Sequence, residues 1–155
     1  MNPYNNSHFK FVNKSFPRVE FSCTEMSIPS ISMEATPQIT RFSDVKHPGD
    51  KLVFSPLSLT FLVDEDLLNY VEISDWLVRI RDTEYEKIDE AISDSKLLIH
   101  NSSHKLVGTY TFKDSFPTSL SSLELTSTDS GVIFPTATVD FDYTSFHFER
   151  ANSTE

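Results

Sequence analysis

The chain has 155 residues and a formal charge of −10, from 13 Lys plus Arg against 23 Asp plus Glu. It is one domain by length, long enough to bury a substantial core, and too acidic to grip nucleic acid by neutralising phosphates. The single cysteine, Cys23, leaves no internal disulfide to form, and residues 1–14 lack a basic start followed by an apolar run. Neither secretion nor membrane insertion is expected.

Thirteen Phe, 22 Ser and 14 Thr against three Gly predict a mainly β protein whose core leans on aromatic side chains. Residues 1–8 form a polar N-terminal segment without periodicity, expected to be loose in a monomer. A β domain follows over 9–148. Phe9 and Phe11 open it. After a turn at Asn13-Lys14-Ser15, Val19, Phe21 and Cys23 alternate with Arg18, Glu20, Ser22 and Thr24, which predicts a strand with one apolar and one wet face. Residues 27–50 carry Pro29, Pro37 and Pro48 and no long apolar run, so they predict an extended, irregular connector. A connection of that length is uncommon unless it serves a function or packs on something else.

Pro48-Gly49-Asp50 is a turn signal. Leu52-Val53-Phe54 and residues 57–63 predict strand, interrupted at Pro56. A helix is predicted over 64–80, with Asp64-Glu65-Asp66 capping its positive end and Leu67, Tyr70, Val71, Trp76, Leu77 and Ile80 near helical spacing. Between 81 and 95, Tyr85, Ile88 and Ile92 predict at most a short amphipathic helix. Residues 96–100 and 105–112 read as a hairpin around Asn101-Ser102-Ser103-His104. A loop at 116–120, a short strand at 123–125 and a turn at 127–131 precede a last ribbon. That ribbon begins at 132–134, and in it Val139, Phe141 and Tyr143 alternate with Thr138, Asp140, Asp142 and Thr144. Residues 149–155 are read as a polar tail.

Chemistry-bearing patterns are weak. His100 and His104 flank a turn, but no neighbouring carboxylate or thiolate completes a metal set. With only Gly49, Gly108 and Gly131, neither a nucleophile elbow nor a phosphate-cradling loop can be built. Cys23 lies on the apolar phase of its segment and reads as a small buried hydrophobe. The Asn-x-Ser/Thr triplets at Asn5, Asn13, Asn101 and Asn152 read as chance in so Ser/Thr-rich a chain. No catalytic centre, metal or cofactor is expected.

In order along the chain, Phe9-Lys10-Phe11, Ser27-Ile28-Pro29, Pro48-Gly49-Asp50, Phe61-Leu62-Val63-Asp64-Glu65-Asp66, Asn69-Tyr70, Asp75-Trp76, Phe116-Pro117-Thr118-Ser119-Leu120 and the alternation over 137–143 are similar to contractile-tail phage tube proteins of the T4-like type. Ser30 departs from the small residue, often glycine, that the family places after the Ile-Pro pair.

The resemblance implies a β-sandwich or half-barrel with one flanking α-helix, six copies of which close into a continuous β-barrel ring; the rings stack as the inner tail tube inside a contractile sheath. Pro37, Pro48, Gly49 and Asp50, within a connector over 35–51, are then candidates for reaching the adjacent subunit or next ring. Glu20, Asp140 and Asp142, each on the polar phase of a predicted strand, are candidate lumen-facing acids that keep passing DNA from sticking. Implied partners are further copies of the chain, the sheath protein, a baseplate or tube initiator, and a tape measure protein in the lumen. The implied location is the virion tail, after assembly in the host cytoplasm. A tube initiator, baseplate hub component, terminator ring or secreted type VI tube would share the fold. A small β-sandwich binding module or hydrolase is the reading from a different class.

Overall fold

Alternation of apolar and polar residues turns about half of the described chain into strands. The computed structural model describes residues 8–128, 131 and 133–151. In chain order its elements are β1 (Phe9–Asn13), α1 (Val19–Ser22), β2 (Cys23–Met26), β3 (Ile31–Ile39), β4 (Asp44–Phe54), β5 (Leu57–Leu62), α2 (Leu68–Asp82), a 3₁₀ turn (Tyr85–Lys87), α3 (Ile88–Ala91), β6 (Ser93–His100), β7 (Leu106–Leu120), β8 (Thr136–Asp142) and β9 (Ser145–Arg150). The architecture is mainly β and antiparallel, with α2 as the flanking helix.

Strand β7 organises the body. Its first part lies between β6 and β9, with β1 beyond β6; its last part pairs with β8, and β5 and β2 follow. One backbone thus belongs to two sheets, β1-β6-β7-β9 and β7-β8-β5-β2. The change of sheet falls at Asp114, whose φ of 53° breaks the extended run. Hydrogen bonds fix this corner: the Asp114 amide donates to Asp94 Oδ1 (3.0 Å) and the Thr144 amide to the Lys113 carbonyl (3.0 Å).

The core fills the space between the two sheets and α2. Phe11, Leu97 and Phe112 from the first sheet meet Leu57, Leu59, Phe61, Val139 and Phe141 from the second, with Ile73 and Trp76 from the helix. Trp76 satisfies its indole N–H by donating to the Ala91 carbonyl at 2.7 Å. A buried polar cluster locks β1, β6 and β7 together: Asn13 Nδ2 donates to Ser95 Oγ, Ser93 Oγ donates to Asn13 Oδ1, and the Ser95 and Ser115 hydroxyls bond each other. A slip of any of these strands would orphan buried polar groups, so the cluster specifies register.

Several sequence expectations change. Residues 19–22 are helical, not strand, because Phe16, Val19 and Ser22 are all buried; a spacing of three outweighs the alternation read from Val19, Phe21 and Cys23. Residues 27–50 are not irregular. They hold most of a long antiparallel hairpin, β3 with β4. The acids at 64–66 do not cap α2, which begins at Leu68 after Leu67 adopts a left-handed conformation (φ 59°). Asn69 instead anchors the entry, donating to the Leu62 carbonyl (2.6 Å) and accepting from the Asp64 amide (3.1 Å). The helix buries Asn69, Ile73 and Trp76, while Leu67 and Val71 stay exposed.

Residues 116–120, read as a loop, continue β7. Residues 123–125 are not strand. The hairpin around 101–104 forms as the sequence predicts. The 127–131 turn and the start of the last ribbon fall partly on 129, 130 and 132, outside the described residues, as do Asn5 and Asn152.

Candidate functional site

Two surfaces stand apart from the core. One is the outer face of the second sheet, on the side away from α2. Cross-strand register puts Ser58 opposite Asp140, Thr60 opposite Thr138, and Glu25 opposite Thr60 on this face. Ser119 also stands opposite Asp140. No Lys or Arg occurs in β2, β5, β8 or residues 115–120 of β7. The first sheet, by contrast, carries Lys10, Lys96, Lys113 and Arg150. The cations therefore sit on one sheet and are missing from the other.

Of the expected acids, Asp140 and Asp142 lie two apart on β8 and share the cation-free face. Asp140 is half-buried and accepts from Ser58 Oγ (2.5 Å) and Ser119 Oγ (3.0 Å); Asp142 is exposed and accepts from the Tyr143 amide (3.0 Å). Glu20, expected on a strand, lies on α1 and pairs with Lys10. Sequence reasoning missed Glu25. Simple alternation from Cys23 places residue 25 on the apolar phase, but a bulge between Cys23 and Glu25 turns it to the polar face.

The second surface is the hairpin β3–β4, which pairs with itself and, among its described side chains, supplies only Phe54, at its base, to the periphery of the core. Ile31, Met33 and Leu52 share one of its faces and are each about half exposed; near the tip Ile39 is 85% and Phe42 93% exposed. Apolar side chains held out in this way contribute nothing to the body's own core. Pro37 and Pro48 lie inside the ribbon, opposite Lys46 and Ala35. A two-stranded ribbon is all edge, the setting in which proline is tolerated and in which it discourages indiscriminate pairing. Gly49 is demanded by close approach, since a Cβ there would stand 1.9 Å from the Glu34 carbonyl oxygen. Asp50 continues the backbone of β4; its side chain is outside the described residues.

A polar cavity of about 930 Å³ lies between the turn at 14–17, α2 and residues 82–93, bordered by Lys14, Arg79, Lys87 and Glu72. Glu72 Oε2 is buried without a hydrogen bond, and the nearest cation, Arg18 Nε, is 3.8 Å away. Burial pushes this carboxyl above its ordinary range; Arg18 opposes the shift and Asp64 adds to it. Burial likewise pushes the Cys23 thiol up to about 11, so it stays protonated, and a poor nucleophile, at neutral pH. His104 packs edge-on against His8 rather than His100. Among the described residues no three His, Cys, Asp or Glu side chains converge to hold a metal, and no helix is long and apolar enough to cross a membrane.

Known structures share this arrangement of sheets. A chain of the anti-feeding prophage baseplate superposes with a TM-score of 0.72 at 13% identity, covering 98% of this chain and 99% of that one. A chain from the sheath/tube terminator of the extracellular contractile injection system PVC, in the extended state, gives 0.73 at 17% identity, covering 96% and 98%. One from the PVC sheath-tube complex gives 0.67 at 16%, covering 96% and 93%. Such distant identities establish the fold. No curated protein sequence matches the chain. The family model described as "Phage tail tube protein" matches residues 3–149, nearly the whole length, and the chain accordingly belongs to the phage tail tube protein family.

Proposed function

We propose that the protein is a subunit of the inner tube of a contractile tail, acting by assembly and surface chemistry. Its family is one of structural tail components, not of enzymes. The carrying observation is the second sheet: among the described residues its terminal strands, β2 and residues 116–120 of β7, each keep a free edge, and the face between them has no cation. Pairing β2 of one copy with β7 of the next closes a barrel and removes both edges. Six copies, the number that the family resemblance implies, carry six times the −10 of one chain. Salt confines the resulting repulsion to about 8 Å, which is enough to keep DNA phosphates from settling on the wall.

In this arrangement Glu25, Asp140 and Asp142 face the lumen. The hairpin, with Pro37, Pro48, Gly49 and Asp50, reaches a neighbouring subunit or ring, and the helical side meets the sheath. A tape measure protein and then DNA occupy the bore, and the assembled protein resides in the virion tail. Cryo-EM of assembled tubes tests this directly: continuous pairing of β2 with β7 across copies, and an inward cation-free face, are expected. An outward face or unpaired edges would refute the reading. Terminator and baseplate chains among the structural neighbours favour a single-ring role as the second reading. Copy number per tail separates the two, since a tube needs many rings and an adaptor one.

A further inference from the structure

A wall rich in Ser and Thr ordinarily suits phosphate, because each hydroxyl can donate to an oxyanion that only accepts. At the centre of the cation-free face most of those protons are committed within the protein. Ser58 and Ser119 both donate to the Asp140 carboxylate, at 2.5 and 3.0 Å. Thr118 Oγ1 donates to the Asp140 carbonyl at 3.2 Å, and Thr24 Oγ1 to the Thr60 carbonyl at 3.3 Å. Thr60 and Thr138 bond each other at 3.1 Å, which uses one of their two protons. Lone pairs and carboxylates are what this centre of the sheet offers outward.

We propose that Asp140 is a positioning residue that sets the specificity of this face: by holding the Ser58 and Ser119 hydroxyl protons along the sheet, it denies hydrogen bonds to phosphodiester polymers. Rejection of DNA then has two separable parts, charge and donor depletion. Asp142 supplies the internal control. It carries the same charge on the same face, but its recorded partner is the adjacent backbone amide rather than a hydroxyl. The biological meaning rests on the lumen reading above, whereas the chemistry belongs to the single chain.

The test measures binding of a short DNA duplex to the full chain at low ionic strength. Asp142→Ala and Asp140→Ala each remove one negative charge, but only Asp140→Ala frees two hydroxyl donors. One recovered hydrogen bond to a charged oxygen makes Asp140→Ala bind roughly tenfold tighter than Asp142→Ala. Adding Ser58→Ala and Ser119→Ala to Asp140→Ala should abolish that difference. Asp140→Val likewise removes the acceptor without adding a donor and suits a strand, so it serves if Asp140→Ala does not fold. Equal affinities for the Asp140 and Asp142 variants, or no effect of removing the serines, would overturn the proposal. If tubes show this face outside while the tenfold difference persists, the lumen reading fails and donor depletion stands.

Discussion

Gly49→Ala should disable the hairpin and spare the body. A Cβ at this position would lie 1.9 Å from the Glu34 carbonyl oxygen and 3.0 Å from its carbon. Both are backbone atoms, so no side chain can swing aside and the ladder must open locally. Overpacking of this kind costs about 1–3 kcal/mol, comparable with what holds a two-stranded ribbon that is marginal on its own. Since β3 and β4, among their described side chains, bring only Phe54 to the edge of the core, local opening absorbs the cost, and the thermal midpoint should move by less than about 2 °C. Gly108→Ala is the matched control in the body. Its Cβ would meet the Phe148 ring at 2.2 Å and the Glu149 carbonyl oxygen at 2.7 Å, inside the β7–β9 ladder. The same penalty there should lower the midpoint by roughly 2–12 °C. Calorimetry paired with electron microscopy of assembled material reads both effects. A Gly49→Ala chain that melts as low as Gly108→Ala would place the hairpin inside the cooperative core. One that melts normally and still stacks into tubes would remove the hairpin from assembly.

Two further outcomes probe the helical side. Glu72 binds its proton more tightly folded than unfolded, so its contribution to stability is present at low pH and fades as pH rises through the ordinary carboxylate range toward the raised folded value. Glu72→Gln should therefore stabilise the protein near pH 7, with the gain vanishing below about pH 4; urea midpoints at the two pH values check the sign, and a loss at neutral pH would mean that the Arg18 attraction dominates. Trp76→Phe removes the donor to the buried Ala91 carbonyl. It should cost about 1–3 kcal/mol in denaturant unfolding, and an unchanged midpoint would show that the bond contributes little.

The elements legible from sequence were those whose pattern is local. The β6–β7 hairpin and the alternation through Val139, Phe141 and Tyr143 needed only a turn signal and a period of two. Where the outcome depended on distant partners, local reading failed. Residues 116–120 look like a loop because of Pro117, yet β8 supplies a neighbour that holds them extended. Glu25 reaches the polar face through a bulge that only pairing with β5 creates. The acids before α2 looked like caps because nothing local reveals that Asn69, buried beneath the turn, anchors that end instead. On the candidate face, Asp140 and Asp142 were visible as an alternating pair, but the hydroxyls bound to Asp140 come from β5 and β7, far along the chain.

Sharing β7 between both sheets has a mechanical consequence. The hairpin joins the body through β2 and β5, adjacent strands of the second sheet. A pull on it is carried by their ladders to β8 and into β7, and thence without a break in covalent backbone to the opposite sheet. Only residues 27–30 and 55–56 link the hairpin to that path. Tension at the projecting arm thus strains the entire body together, through a corner at Asp114 that the bond to Asp94 ties down.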